Sequence, residues 1–207
     1  MVLGEGVSVA LITANLGEIS GPKRYVDQSV PVTVFRYDDN NFPPRPSMTP
    51  RAQAKIPKML GWQMRPGFDY YVWVDARFNI VREDTVEWLI EQCSDYDAAF
   101  FQHPVRSLVS EEMEFLEASI DDEYISSRYM NEECNTKWFD HPHKLFAAGI
   151  FIYRNSDCVR EMLKEWYFQN MRYHINDQLS LGYVIDNSEC SVNTIQENIF
   201  HNRYFHV

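Results

Sequence analysis

The sequence has no Cys-x-x-Cys pair, because its four cysteines, Cys93, Cys134, Cys158 and Cys190, are far apart. This spacing excludes the usual zinc and dithiol redox motifs and makes a reduced cytosol the simplest setting. No apolar run approaches the roughly 20 residues that span a bilayer, and the N-terminal MVLGEGVS lacks a basic segment followed by an apolar core. We therefore expect a cytoplasmic, unexported protein without a membrane span.

The sequence also lacks an excess of positive charge, since its formal net charge is -11 and its pI is about 4.9. This acidity does not favour broad electrostatic binding to nucleic acid or to an anionic membrane. Internal repeats, low-complexity tracts and linker-like segments are absent as well. With 45% hydrophobic residues, residues 1–207 are predicted to form a single domain with a substantial core.

One stretch departs from this composition, because Asn41 to Phe68 contains no aspartate or glutamate. Its cations are Arg45, Arg51, Lys55, Lys58 and Arg65. The spacing i, i+4, i+7 of Arg51, Lys55 and Lys58 places them on one face of a helix that runs through Pro57. Proline fits only the first turn of a helix, so the helix either begins near Ile56 or kinks. In both cases neighbouring cations suit a phosphate or pyrophosphate, with a solvated basic face as the alternative.

A buried strand follows and delivers a carboxylate. Tyr70 to Val74 is an unbroken β-branched and aromatic run, typical of a strand covered on both faces, and Asp75 comes directly after it. Open α/β sheets bind ligands beyond the carboxyl ends of their strands, so Asp75 is a candidate site residue. A capping role in the next turn is the alternative.

Together these motifs resemble the core of GT-A nucleotide-sugar glycosyltransferases. The pattern Arg-x-x-x-Lys-x-x-Lys, followed after a spacer by Tyr-x-Trp-Val-Asp-Ala-Arg, is most similar to a glycosyltransferase-like family known from plant Golgi proteins and bacteria. HPVRSLVSEEMEFL, AAGIFIYRNS and NDQLSLGYVI extend the similarity over most of residues 8–185. The resemblance implies an α/β fold, a GT-A-like three-layer sandwich with a mostly parallel central sheet. The alternation of strand and helix patterns supports the same fold class.

Early strands supply candidate contacts to a donor nucleotide. Val7 to Thr13 and Val30 to Phe35 are short apolar runs typical of central strands. The resemblance places the base and ribose at the loop after the first strand, which makes Thr13 and Asn15 candidates. Asp38 is a candidate after the second strand, with a turn-forming side-chain role as the alternative.

The strand predicted at Asp97 to Gln102 delivers His103 and Arg106 to the edge that carries Asp75, if the strands are parallel. The resemblance makes His103, Arg106 and Arg77 candidates for the donor phosphates or sugar, while a satisfied structural histidine is the alternative for His103. Two acidic helical stretches follow, Ser110 to Ser119 and Asp121 to Glu133, and their charge is expected to face solvent.

Late-chain elements provide a candidate acceptor side. The strand predicted at Leu145 to Tyr153 begins with small residues, of which Ala148 and Gly149 would let a ligand approach the backbone. Asp177 lies at the start of the second helix predicted after this strand. If the resemblance holds, its carboxylate points into the cleft. N-terminal capping of that helix is the alternative.

The favoured function is transfer of a sugar from a nucleotide-diphosphate donor to an acceptor hydroxyl, on a glycan or other cellular acceptor. Arg51, Lys55 and Lys58 would neutralise the leaving diphosphate. Asp177 would deprotonate the acceptor in an inverting reaction, or position it in a retaining one. The resemblance implies a divalent metal, Mn²⁺ or Mg²⁺, on Asp75, and it makes His201 a candidate ligand because GT-A enzymes that bind such an ion often complete its coordination from the C-terminal segment. Many GT-A enzymes have Asp-x-Asp here, whereas this chain has Asp75-Ala76-Arg77, so we expect modest metal dependence.

Two other functions stay open at this point. One is a phage-type glycosyltransferase that acts on modified DNA bases, which a compact chain permits and the acidic balance opposes. The other is a noncatalytic nucleotide- or glycan-binding module on the same scaffold, since a fold does not settle activity.

Overall fold

A computed structural model describes residues 6–18, 20–21, 23–118, 143–172 and 176–207 of the chain. The second acidic stretch predicted as helical, Asp121 to Glu133, lies outside these residues. In chain order the described strands and helices are β1 (Val9–Asn15), β2 (Val32–Asp38), α1 (Pro50–Met64), β3 (Tyr70–Val74), β4 (Asn79–Ile80), α2 (Thr85–Gln92), β5 (Ala98–Gln102), α3 (Val109–Ala118), β6 (Phe146–Arg154), α4 (Asp157–Arg172), α5 (Asp177–Asp186), β7 (Val192–Ile195) and β8 (Phe205–His206).

The central sheet has the strand order β2-β1-β3-β6-β5-β7 in the described part of the chain. β1 pairs in parallel with both β2 and β3, and β5 pairs in parallel with β7. β6 runs antiparallel to its neighbours β3 and β5. The prediction of an α/β protein with a mostly parallel central sheet is confirmed, with β6 as the reversed strand.

Alternate residues of the strands feed two separate cores, which produces three layers. In β1, Val9 and Leu11 face a core that contains α2 and the C-terminal segment around Phe205. Ala10 and Ile12 face the opposite core, to which α1, α4 and α5 contribute. Because both faces of the sheet are covered, the central strands are apolar throughout, as expected for mostly parallel sheets.

Helix α1 is continuous through its internal proline, which was one of the two predicted arrangements. Thr49 caps it by accepting a hydrogen bond from the Ala52 N–H at 3.2 Å. The backbone leaves helical geometry at Leu60, where φ is -113° and ψ is 20°, so the helix kinks one turn after Pro57. Pro57 lacks the N–H that would donate to the Gln53 carbonyl, so the missing hydrogen bond lies one turn before Pro57 and the kink lies one turn after it. The next residue, Gly61, lies against Ile12 of β1, and a Cβ atom at this position would require the end of the Ile12 side chain to move.

A disulfide joins Cys158 in α4 to Cys190, which lies just before β7, with their Cα atoms 5.7 Å apart. The spacing of the cysteines in the sequence did not indicate this pairing, because it forms only when the chain returns along the sheet. Disulfides persist mainly in oxidising compartments, so the bond weighs against the predicted cytosolic setting. Among the described helices, none is long and apolar enough to cross a membrane.

Candidate active site

A cavity of about 450 Å³ opens beyond the carboxyl ends of β1 and β3, within the size range of small-molecule sites. Its walls come from α1, the loops after β1 and β3, the start of β6 and the start of α5. The structure brings together there nine of the residues predicted for the site: Asn15, Arg51, Lys55, Lys58, Asp75, Arg77, Ala148, Gly149 and Asp177. The residues selected by helix spacing and by strand-end position therefore lie together around one cavity.

Two lysines of α1 meet one carboxylate of α5 in the wall of the cavity. Asp177 Oδ2 lies 2.5 Å from Lys55 Nζ and 2.6 Å from Lys58 Nζ. All three side chains are less than a tenth exposed. Asn176 caps α5 by accepting a hydrogen bond from the Gln178 N–H at 3.3 Å, so the Asp177 carboxylate is turned towards the lysines instead of the helix end.

Burial and pairing act in opposite directions on these charges. Burial lowers the pKa of Lys55 to about 8, although the attraction of Asp177 opposes this change. Burial alone would raise the pKa of Asp177, but the charges of Lys55 and Lys58 outweigh it and hold the pKa below its usual range. Asp177 is therefore ionised at neutral pH, while Lys55 holds its proton less firmly than an exposed lysine.

Asp75 is held by neighbours on three sides. Its Oδ1 accepts a hydrogen bond from Trp73 Nε1 at 2.7 Å and lies 3.6 Å from Lys58 Nζ. Its Oδ2 lies 3.5 Å from Arg77 Nη2, and its backbone N–H donates to the Gly149 carbonyl at 2.8 Å. These contacts fix the carboxylate at the end of β3, facing α1.

Gly149 allows this approach because it has no side chain. A Cβ atom at this position would lie 2.9 Å from Phe78 Cε2, 3.1 Å from Arg77 Nη2 and 3.3 Å from Asp75 Oδ2. Real Cβ atoms avoid such distances, so a larger residue would displace the Asp75 and Arg77 side chains. The small residue predicted from sequence to admit a ligand also makes room for the protein's own charged groups.

Cations outnumber carboxylates among the described residues that line the cavity. Four of these residues are cations, Arg51, Lys55, Lys58 and Arg77, and two are carboxylates, Asp75 and Asp177. The whole chain carries -11. This local reversal of sign attracts an anionic ligand to the cavity.

A second, smaller cavity of about 190 Å³ shares Asn15 and Ala76 with the first. Thr13 and Asp38, predicted to contact the donor nucleotide, line this cavity and not the larger one. Asp38 also accepts backbone hydrogen bonds from Asn40 at 2.9 Å and Asn41 at 3.1 Å, which is the turn-forming role considered as its alternative.

Three predicted site residues do not line either cavity. His103 and Arg106 lie beyond β5, where Arg106 Nε donates to Glu112 Oε2 at 2.5 Å and the His103 ring accepts from the Arg106 N–H at 3.0 Å. β6 lies between β3 and β5 in the sheet, so the ends of β3 and β5 are apart although they lie at the same edge. For this reason the shared edge does not bring His103 and Arg106 to Asp75. His201 is exposed in the C-terminal segment, outside the lining of the Asp75 cavity.

The donor set around Asp75 does not fit a divalent cation in the described part of the protein. Mn²⁺ and Mg²⁺ require several oxygen ligands, but one Asp75 oxygen accepts from Trp73 and both face cationic side chains. Within the described residues no group of three or more histidine, cysteine, aspartate or glutamate side chains could hold a metal ion.

Two tryptophans of the site were not identified from the sequence. Trp73 donates to Asp75, and Trp166 Nε1 donates to the Asp177 carbonyl at 2.8 Å. Lys58 lies over both rings, with its Nζ 5.6 Å from the Trp73 centroid and 5.9 Å from that of Trp166. Trp73 was visible as a motif residue beside Asp75. Trp166 belongs to an apolar helix stripe, and nothing in its spacing separates it from ordinary core residues.

The cavity lies beyond the carboxyl ends of the strands, which is where open α/β sheets bind their ligands. Residues 43–206 match the family model described as "TOD1/MUCI70, glycosyltransferase-like domain", and because this match covers most of the chain, the protein belongs to that family. The prediction of a glycosyltransferase-like family is thus confirmed.

A solved glycosyltransferase involved in the glycosylation of the major capsid of PBCV-1 is similar at 10% sequence identity and a TM-score of 0.46, over 91% of this chain and 81% of that one. A search of curated proteins found no significant match.

Proposed function

We propose that the protein is a glycosyltransferase that moves a sugar from a nucleotide-diphosphate donor to an acceptor hydroxyl of a glycan or other cellular compound. The observation that carries the proposal is the cation-lined cavity at the ends of β1 and β3. Helix α1 supplies its lysines and Arg51, and Asp75 and Asp177 also line it. Membership of a glycosyltransferase-like family supports the reaction type.

The donor diphosphate is proposed to lie against α1. Arg51, Lys55 and Lys58 all line the cavity from this one helix, so three fixed cations can face adjacent phosphate oxygens. Glycosyl transfer builds negative charge on the leaving diphosphate, and preorganised cations stabilise that charge most when they need not move. The nucleoside would extend into the smaller cavity through Asn15, towards Thr13 and Asp38.

Asp177 is proposed to contact the acceptor hydroxyl. Both lysine contacts are made to Oδ2, so the acceptor contact is assigned to Oδ1. A carboxylate with a lowered pKa is a weak proton acceptor, and general bases work best when their pKa lies near the working pH. Its proposed base role therefore requires the donor diphosphate to draw Lys55 from Oδ2 during the reaction, while Lys58 stays in place. Without that change, Asp177 would orient the acceptor.

A thermal-shift titration with UDP, GDP and ADP tests donor binding, because a ligand that binds only the folded state raises the apparent stability. Wild type should be stabilised by at least one of them, and Lys55→Ala should lose most of that shift. Lys164→Gln is the matched control, because Lys164 is an exposed lysine of α4 outside the cavity. No shift with any diphosphate would contradict the proposed donor class.

Release of sugar from the matching nucleotide-sugar without any acceptor separates an enzyme from a noncatalytic binding module. Slow hydrolysis that Asp177→Asn reduces would support catalysis, whereas binding without hydrolysis or transfer would support the module. A cytoplasmic location stays a prediction, and the Cys158–Cys190 disulfide weighs against it.

A further inference from the structure

The two carboxylates of the cavity share one lysine. Lys58 Nζ lies 2.6 Å from Asp177 Oδ2 and 3.6 Å from Asp75 Oδ1. The Lys58 side chain is only 4% exposed and lies between the rings of Trp73 and Trp166. An ammonium group enclosed by two carboxylates and two aromatic faces is fixed in place, because each of these neighbours attracts a cation.

The indole N–H groups fix the elements that carry both carboxylates. Trp73 Nε1 donates directly to the Asp75 side chain at 2.7 Å, and Trp166 Nε1 donates to the Asp177 main-chain carbonyl at 2.8 Å. Trp166 is fully buried in the core and Trp73 almost so, which means that neither ring can move without disturbing the packing. The two carboxylates therefore face a position that is already filled by positive charge.

We propose that Lys58 is an internal cation that takes the position between Asp75 and Asp177 in which a divalent ion would otherwise bind. A second cation at this position would meet carboxylates whose charge is already neutralised, and it would be repelled by Lys58 and its neighbours Lys55 and Arg77. The protein accordingly binds nucleoside diphosphates without Mn²⁺ or Mg²⁺. The choice of diphosphate as ligand rests on the proposed function, but the occupancy of the position by Lys58 does not.

A Mn²⁺ titration of the protein alone tests the occupied position, with the free-ion signal followed by electron paramagnetic resonance. Wild type and Lys58→Arg, which keep a cation, should leave the free Mn²⁺ signal unchanged. Lys58→Gln removes the one cation that contacts both carboxylates, so this variant should deplete the signal and bind Mn²⁺ more strongly than wild type even though Lys55 and Arg77 remain beside Asp177 and Asp75. Depletion by wild type would overturn the proposal, as would a folded Lys58→Gln protein that binds no Mn²⁺.

Calorimetric titration of UDP, GDP and ADP in EDTA and in Mn²⁺ tests the consequence for the ligand. For each diphosphate that binds, the wild-type dissociation constant should differ by less than about twofold between the two conditions, whereas a loss of about tenfold or more in EDTA would overturn the inference. These wild-type measurements remain decisive if Lys58→Gln fails to fold. If no diphosphate binds in either condition, the proposed function fails, while the Mn²⁺ titration still decides the role of Lys58.

Discussion

Two buried ionic clusters lie at the same edge of the sheet, and the first of them lines the cavity of about 450 Å³. In the first, Lys55 and Lys58 of α1 contact Asp177 of α5. In the second, Arg106 contacts Glu112 of α3 at 2.5 Å, with the His103 ring 4.0 Å from the same carboxylate oxygen. Both carboxylates are almost fully buried and both have basic partners.

The clusters differ in charge balance and in the use of their polar atoms. Burial lowers the pKa of His103, so the imidazole is neutral at pH 7 and the second cluster holds one cation against one carboxylate. The His103 Nδ1 already accepts a backbone hydrogen bond from Arg106. The first cluster belongs to a cavity whose described lining has four cations and two carboxylates. Of these two buried clusters, the first is therefore the one whose cations adjoin space for a ligand.

The largest expected difference between the clusters is in turnover. Asp177→Asn should lower transfer by about a hundredfold or more, within the usual contribution of a general base, while Glu112→Gln should leave transfer unchanged. Each variant leaves buried cations without their anion and should lower the free energy of unfolding by about 3 kcal/mol. Turnover with a responsive acceptor and urea unfolding measure the two effects. Normal turnover in Asp177→Asn, or an equal loss of donor affinity, would reduce Asp177 to a residue that holds the lysines.

The second largest expected difference between the clusters is in their effect on nucleoside-diphosphate binding. Lys55→Ala and Arg51→Ala each remove a cation from the cavity and should weaken binding by about 1 to 3 kcal/mol, the range for charge-assisted hydrogen bonds. Arg106→Ala removes a cation from the second cluster and should not change the affinity. Isothermal calorimetry on folded variants measures all three. Equal losses at Arg51, Lys55 and Arg106 would show that only the general electrostatic field matters.

The pH dependence of binding should reflect Lys55. Its folded pKa of about 8 lies below the ordinary lysine value, so diphosphate affinity should fall as pH rises through about 8 and the ammonium loses its proton. The free energy of unfolding of the ligand-free protein should change with pH in the opposite direction. Between the folded and unfolded pKa values the unfolded state binds more protons, so this group's contribution to the free energy of unfolding rises with pH. Lys55→Arg, which stays charged, should remove both trends, and an unchanged pH profile in that variant would contradict the assignment.

The smallest expected effect comes from crowding the first cluster. Gly149→Ala places a Cβ atom 3.3 Å from Asp75 Oδ2 and 2.9 Å from the Phe78 ring, so the carboxylate must shift by a few tenths of an ångström. We expect diphosphate affinity to fall by about threefold to tenfold, with a loss of stability of about 1 kcal/mol. Titration and thermal unfolding give both numbers. An unchanged affinity would show that Asp75 does not need this position for ligand binding.

Much of the fold was predictable because local patterns agree with the final packing. The apolar run Tyr70 to Val74 is one strand of the structure, and the helix predicted to start at Asp177 starts there. The i, i+4, i+7 spacing of Arg51, Lys55 and Lys58 placed all three on the cavity wall. These features depend on backbone periodicity and strand-end position, which short segments of sequence carry by themselves.

Contacts between distant segments were not predictable in this way. The Lys55–Asp177 pair joins residues 122 positions apart, and the partners of His103 and Arg106 depend on which strand lies beside which. The same applies to the Cys158–Cys190 bond. Sequence spacing specifies which residue types face one side of an element, but it does not specify what lies opposite them.

The sequence by itself therefore determined the α/β class, the basic face of α1 and the delivery of Asp75 to a strand end. Only the tertiary structure decided that Asp177 pairs with the two lysines, that Trp73 and Trp166 enclose Lys58, and that His103 lies outside the cavity. The physical reason is the distance over which each effect acts. Periodicity acts over one turn or one strand, whereas the sign and strength of a buried charge depend on every group that packing brings within a few ångströms.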